Sequence, residues 1–122
     1  MSLLDRLRET LASIPALGPR AAQDKLNAGA LLLDVREPHE WAAGHPPQAQ
    51  HLPLGRLPAN LDRLPHDREI VVICRSGNRS RHAAGALARS GRRAYNLDGG
   101  IRAWAAAGLP IVGPGGRPGR IV

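Results

Sequence analysis

Two short apolar runs limit what this chain can fold into more than any other feature. Ala30 to Val35 reads ALLLDV, and Ile70 to Cys74 reads IVVIC. Both are too short for a buried helix and lack apolar–polar alternation, so each reads as a strand covered on both faces. Strands of that kind belong to parallel sheets with helices on either side. The rest of the chain supplies those helices. Leu3, Leu4, Leu7, Leu11 and Ile14 recur at helical spacing, which predicts an amphipathic helix that ends near Pro15 and caps the core. Further helices are expected from Pro19 to Asn27, closed by Gly29, and from Glu37 to Ala43. Others should span Leu57 to Leu64, Asn78 to Arg89 and Gly100 to Ala107, with Arg93 to Leu97 as another strand. The prolines of GHPPQAQHLPL force an extended connection.

A chain of 122 residues with 43% hydrophobic content holds one domain comfortably. Aromatic residues make up only 2%, with no Phe, so Leu, Ile, Val and Ala must fill the interior. That favours layered α/β packing. The final ten residues, GPGGRPGRIV, are so rich in Gly and Pro that a poorly ordered tail is expected.

The formal charge of +7 comes almost wholly from arginine, since Lys25 is the sole lysine. Such an excess steers small anions to the surface. The basic residues are scattered and lack interleaved aromatics, which argues against a nucleic-acid partner. The charges among the apolar residues of MSLLDRLRETLASIPALG argue against a signal peptide or membrane span. Cys74 is the only cysteine, so no intramolecular disulfide can form, and a reducing, cytoplasmic compartment fits. His39, His45, His51, His66 and His82 show no metal-ligand spacing, so no metal site is expected.

Cys74 closes a predicted strand, and RSGNRS follows it into a predicted helix. Free amides at the helix start, with Arg75, Arg79 and Arg81 nearby, favour the thiolate. The helix dipole contributes only about 0.3–1 kcal/mol, under one pKa unit, so the neighbouring groups must supply the rest. Gly77 lets the loop curl and turn its N–H groups inward as an anion nest. Ser76 and Ser80 offer further hydrogen bonds, and Ser80 is also a candidate helix cap. A lone cysteine closing a strand can be a small buried hydrophobe, but the basic, glycine-containing loop points instead to a reactive sulfur.

With these residues in view, the chain resembles the single-domain rhodaneses, a family of α/β sulfurtransferases. CRSGNRS matches the family's active-site loop. LLDVREPHEW, GHPPQAQHLPL and NLDGGIRAWAAAGLPI resemble, in order, its other signatures, over about Leu17 to Val112. The resemblance implies a three-layer sandwich, with a mainly parallel central sheet of about five strands and helices on both faces. It divides the chain into a helical extension (1–16), a rhodanese-like domain (17–112) and a Gly/Pro-rich tail (113–122).

It further implies that Cys74 takes a sulfane sulfur from thiosulfate or a similar anion. The persulfide so formed passes that sulfur to cyanide, a thiol or a protein acceptor, from a monomer or homodimer. By the same resemblance Arg75, Ser76, Gly77, Asn78, Arg79 and Ser80 form the substrate cradle, and no metal or organic cofactor is needed. Arg75 and Arg79 suit the donor's anionic oxygens, because a guanidinium is forked and permanently charged. Asp34, Arg36 and Glu37 are supporting candidates, either as structural ion pairs, with Glu37 or Glu40 meeting Arg79, or as substrate contacts.

Two alternatives stand beside this. A carrier or partner-binding module would need the same reactive Cys74 but little free thiosulfate activity. A phosphatase-type cradle would need an arginine six positions after the cysteine, where this chain has Ser80. Pro46 and Gln48 also depart from the family's usual aliphatic residue and glycine, which puts the path of that connection in question. Trp104 reads as core, whereas the sequence leaves Trp41 undecided.

Overall fold

A computed structural model describes residues 2–122, apart from the side chains of residue 7 and residues 9–12. The elements run α1 (Leu3–Ser13), β1 (Ala16–Leu17), α2 (Pro19–Asn27), β2 (Leu31–Asp34), α3 (Pro38–Ala43) and β3 (Gln50–His51). They continue with α4 (Leu57–Asn60), β4 (Ile70–Ile73), α5 (Asn78–Arg89), β5 (Ala94–Leu97) and α6 (Gly100–Ala106). Short 3₁₀ turns cover Leu54–Arg56, Leu61–Arg63 and Pro114–Gly116.

The strands form one parallel sheet in the order β1-β5-β4-β2-β3. β2 pairs with β4 from Leu31↔Ile70 to Asp34↔Ile73, and β4 pairs with β5 up to Val72↔Asn96. All four residues of β2 and of β4 are buried, as their unbroken apolar runs require. Strand alternation then divides the side chains between two faces. Leu31, Leu33, Ile70, Val72 and Cys74 pack with Leu57 of α4 and Ala83, Ala84 and Leu87 of α5. Leu32, Val71, Ile73 and Leu97 pack with Ala22 of α2 and Ile101 and Trp104 of α6. Helices on both faces complete the three-layer sandwich.

The predicted elements lie where the sequence puts them, to within a residue or two. The segment expected as one helix from Leu57 to Leu64 is a turn of α-helix followed by a 3₁₀ turn. The edge strands β1 and β3 have two residues each and carry no apolar run that sequence could show. α1 starts with a capping box between Ser2 and Asp5 and lies along α5. Ile14 just after it packs on the core, while Leu3 and Leu4 are exposed. The other two residues of its expected apolar stripe, Leu7 and Leu11, have side chains outside the described set.

The last ten residues correct an expectation. They fold back on the domain: Pro118 bridges to Val112, Gly119 N donates to Ile111 O at 3.2 Å, and Arg120 N donates to Ala43 O at 2.8 Å. Ile121 reaches the Trp104 side of the core. Glycine allows this by letting two backbones touch. A Cβ on Gly44 would lie 2.7 Å from Arg120 N. The composition that reads as loose chain serves close approach instead.

Candidate active site

Cys74 is the first residue after β4 and continues that strand's alternation, so its side chain enters the α5 side of the sheet. In the parallel sheet this is the carboxyl end, where strands hand over to helices and ligands bind. The residue is only 1% exposed. The loop above it has exposed Arg75, Ser76 and Asn78 and a half-buried Arg79, so the sulfur lies under a thin polar cover.

The loop is shaped from both ends. Gly77 adopts φ +106°, a left-handed conformation that other residues rarely take, and it starts α5. At the other end Ile101 N donates to Cys74 O at 2.8 Å, and Arg102 N donates to Arg75 O at 3.4 Å. With those carbonyls turned toward α6, the following N–H groups point the opposite way, because C=O and N–H of one peptide are antiparallel. Gly100 makes the approach possible: its φ is +61°, and a Cβ there would lie 2.6 Å from Cys74 O. Gly100 of the C-terminal signature is thus part of the loop's support, a role that local sequence reading did not assign.

Donors converge on the sulfur. Gly77 N donates to Cys74 Sγ at 3.1 Å, and Ser80 Oγ lies 3.2 Å from Sγ. Burial pushes the thiol up, but the Ser80 hydroxyl and the amides of Ser80, Gly77 and Ser76 more than offset it, leaving the thiol below its ordinary range. Ser80 therefore does not cap α5. Gly77 is the N-cap, without a side-chain cap bond, and the Ser80 hydroxyl is committed to the sulfur and to Asn96. Asn96 on β5, which the sequence reading passed over, also donates from Nδ2 to Gly77 O at 3.1 Å.

The arginines differ in setting. Arg79 grips Glu40 of α3 in a forked pair, Nη1–Oε1 2.6 Å and Nη2–Oε2 2.8 Å. Arg79 holds the Glu40 carboxyl down to about 2 against the upward push of burial. The exposed Arg75 extends to the tail, with Nε 3.2 Å from Val122 O. Asn78 and Ser76 line the exposed side of the loop.

Asp34, Arg36 and Glu37 are placed differently from the cradle. Asp34 and Arg36, each 0% exposed, close on one another with Nη2–Oδ2 at 2.7 Å. Arg36 also donates to Glu40 O and Gly44 O, while its carbonyl lies 2.7 Å from His51 Nε2. None of the described hydrogen bonds of these two side chains reaches the Cys74 loop. Glu37 is exposed at the start of α3, where its amide donates to Glu40 Oε1. Of the two acids considered for Arg79, Glu40 makes the pair.

Trp41 stacks on His45 at 3.5 Å and on His51 at 4.8 Å between ring centroids. Trp104 is fully buried, as its helical setting suggested. No cluster of three or more metal-ligating side chains occurs among the described residues. Nor is any described helix long and apolar enough to cross a membrane.

A family model described as Rhodanese-like domain matches residues 19–107. A sulfurtransferase of Allochromatium vinosum is 48% identical over 87 residues, covering 70% of this chain and 81% of that protein. The crystal structure of a rhodanese-related protein from Thermoplasma volcanium superposes with a TM-score of 0.76 at 31% identity, covering 80% of this chain and 97% of the other. A rhodanese-like domain protein from Staphylococcus aureus gives a TM-score of 0.70 at 28% identity, covering 75% and 91% of the two chains.

Proposed function

The chain belongs to the rhodanese-like domain family, and from that premise we propose a sulfurtransferase that moves sulfane sulfur from thiosulfate or a similar anion through a Cys74 persulfide. The observation that carries this reading is the convergence of N–H and O–H donors on one sulfur at the mouth of the sheet. The unit responsible is 17–112, with the α1 extension and the tail as appendages.

The chemistry balances without a cofactor. The Cys74 thiolate attacks the outer sulfur of thiosulfate, a new S–S bond forms, and the donor's S–S bond breaks as sulfite leaves with its electron pair. Cyanide or a thiolate then attacks the outer sulfur of Cys74–S–S⁻. The Sγ–S bond breaks, the thiolate returns, and thiocyanate or a persulfide departs. The donors that hold the Cys74 thiol below its ordinary range favour the thiolate, and a preformed thiolate requires no general base. Two anions must meet in the first step, and the cradle supplies the compensation. Arg75 can turn from the tail to the incoming donor, while Arg79, neutralised by Glu40, acts mainly by holding the loop against α3. A thiol that has to stay reduced suits a cytoplasmic setting, and a protein acceptor is compatible with the exposed loop.

Intact mass spectrometry after mixing with thiosulfate tests the reading. One added sulfur, about 32 Da, should appear on the wild type, be removed by cyanide with release of thiocyanate, and be absent from Cys74→Ser. Loading by a low-molecular-weight persulfide but not by thiosulfate would support the carrier alternative. Loading by neither, or equal loading of Cys74→Ser, would overturn the proposal.

A further inference from the structure

Ser80 has one hydroxyl proton and two partners that want it. Its Oγ lies 3.2 Å from Cys74 Sγ and 2.5 Å from Asn96 Oδ1. The orientation of Asn96 is fixed from the other side: Gly77 O can only accept, so Nδ2 must face it, at 3.1 Å, and Oδ1 must face Ser80. Oδ1 has no other donor among the described hydrogen bonds, and both Ser80 and Asn96 are buried. Asn96 reaches this position through sheet register. It pairs with Val72 of β4 and lies on the α5 side of β5, as Cys74 does beyond β4.

We infer that Asn96 is a positioning residue that acts on the sulfur through Ser80, its Oδ1 accepting the Ser80 hydroxyl's hydrogen bond whenever Sγ is uncharged and losing that bond to Sγ when Sγ is a thiolate. The inference rests on Cys74 being the sulfur carrier. In the thiol state S–H can donate to Ser80 Oγ while Ser80 donates to Oδ1, and every group is satisfied. In the thiolate Ser80 turns to Sγ, and Oδ1 is left as a buried acceptor without a donor, which is costly. In the persulfide the charge moves to the outer sulfur, Sγ has two covalent bonds, and Ser80 returns to Oδ1. Asn96 thus loosens the hold on the bare thiolate relative to the loaded form. It keeps the sulfur nucleophilic in a site whose amides would otherwise stabilise it too well.

The charged groups around the sulfur are outside this exchange. Arg79 from α5 is bound by Glu40 from α3, with Glu37 beyond them, and Arg75 of the loop extends to Val122 O. Asp34 at the end of β2 is closed on Arg36, and Asp98 after β5 and Arg102 of α6 are exposed.

The test is the Cys74 pKa, read from iodoacetamide alkylation rate against pH, for Asn96→Leu in the wild-type and the Ser80→Ala backgrounds. Losing the Nδ2 bond to Gly77 loosens the loop equally in both, so the difference between backgrounds isolates the hydroxyl. With Ser80 present, Asn96→Leu should move the pKa lower, relative to its effect in Ser80→Ala, by about 0.5–1 unit. Equal shifts in the two backgrounds, or a relative shift upward, would reduce Asn96 to a loop support and overturn the inference. Asn96→Ala carries the same prediction if the leucine variant does not fold. Alkylation requires no sulfur transfer, so an unloaded wild type with this coupling intact would count against the sulfurtransferase reading and not against Asn96.

Discussion

The ends of β2 and β4 are neighbours in register, Asp34 beside Ile73, yet they treat charge in opposite ways. At the end of β2 a buried carboxylate and a buried guanidinium cancel, and the remaining N–H groups of Arg36 go to the backbone carbonyls of Glu40 and Gly44. At the end of β4 one sulfur collects donors, none of them ionic among the described hydrogen bonds. The first arrangement is closed and holds β2, α3 and the connection to β3 together. The second is open, with donors aimed at one sulfur, the atom that would carry the transferred sulfur in the proposed reaction. The contrast teaches that a fold can place a closed ionic node and a candidate reactive centre on adjacent strands, provided that only one of them has its valences filled.

The contrast breaks most severely at the closed node. Arg36→Met should destabilise the protein by about 3–5 kcal/mol, because Asp34 then remains as an uncompensated buried charge. Chemical denaturation measures the loss, and Asp34→Asn combined with Arg36→Met should recover part of it. Full stability in the single variant would show that the node is not closed as described.

The open site is vulnerable in its backbone. Gly100→Ala forces an L-residue to φ +61° and drives a methyl group against the Cys74 and Arg75 carbonyls that α6 holds. A stability loss of about 2 kcal/mol is expected, together with a rise in the Cys74 pKa as the amides lose their aim. Denaturation and alkylation against pH read the two effects. An unchanged pKa would mean that α6 does not set the direction of those amides.

The smallest effect belongs to the pair that joins the two regions, Glu40 and Arg79. The folded-state value of Glu40, about 2, lies below its ordinary 4.5, so its contribution is complete above pH 4.5 and fades as pH falls toward 2. Solvent access to Arg79, whose side chain is 35% exposed, limits the amount to about 1–2 kcal/mol. Denaturation midpoints over that window should fall more steeply for the wild type than for Glu40→Gln. Parallel slopes would assign the acid sensitivity elsewhere.

Much of this was legible in the residues. The apolar runs of β2 and β4 identify strands buried on both faces, since only a covered parallel sheet tolerates such continuity. CRSGNRS identifies the sulfur and its loop, because the Gly77 bend and the start of α5 are local features that a handful of adjacent residues dictate. The tail was misread for a related reason. Gly44 and Gly119 are far apart in sequence, and their value lies in meeting each other.

Local periodicity and strand continuity, fixed by residues within a few positions of one another, determined the fold class in the linear chain, and loop chemistry singled out Cys74 and the residues after it as the candidate site. Tertiary structure alone decided that Arg79 would be tied to Glu40, that Arg36 would close on Asp34, and that Asn96 and Gly100 would come against the loop from β5 and α6. Those pairings depend on sheet register and crossover path. Hydrogen-bond competition at a buried site is set by ångström distances that sequence separation does not encode.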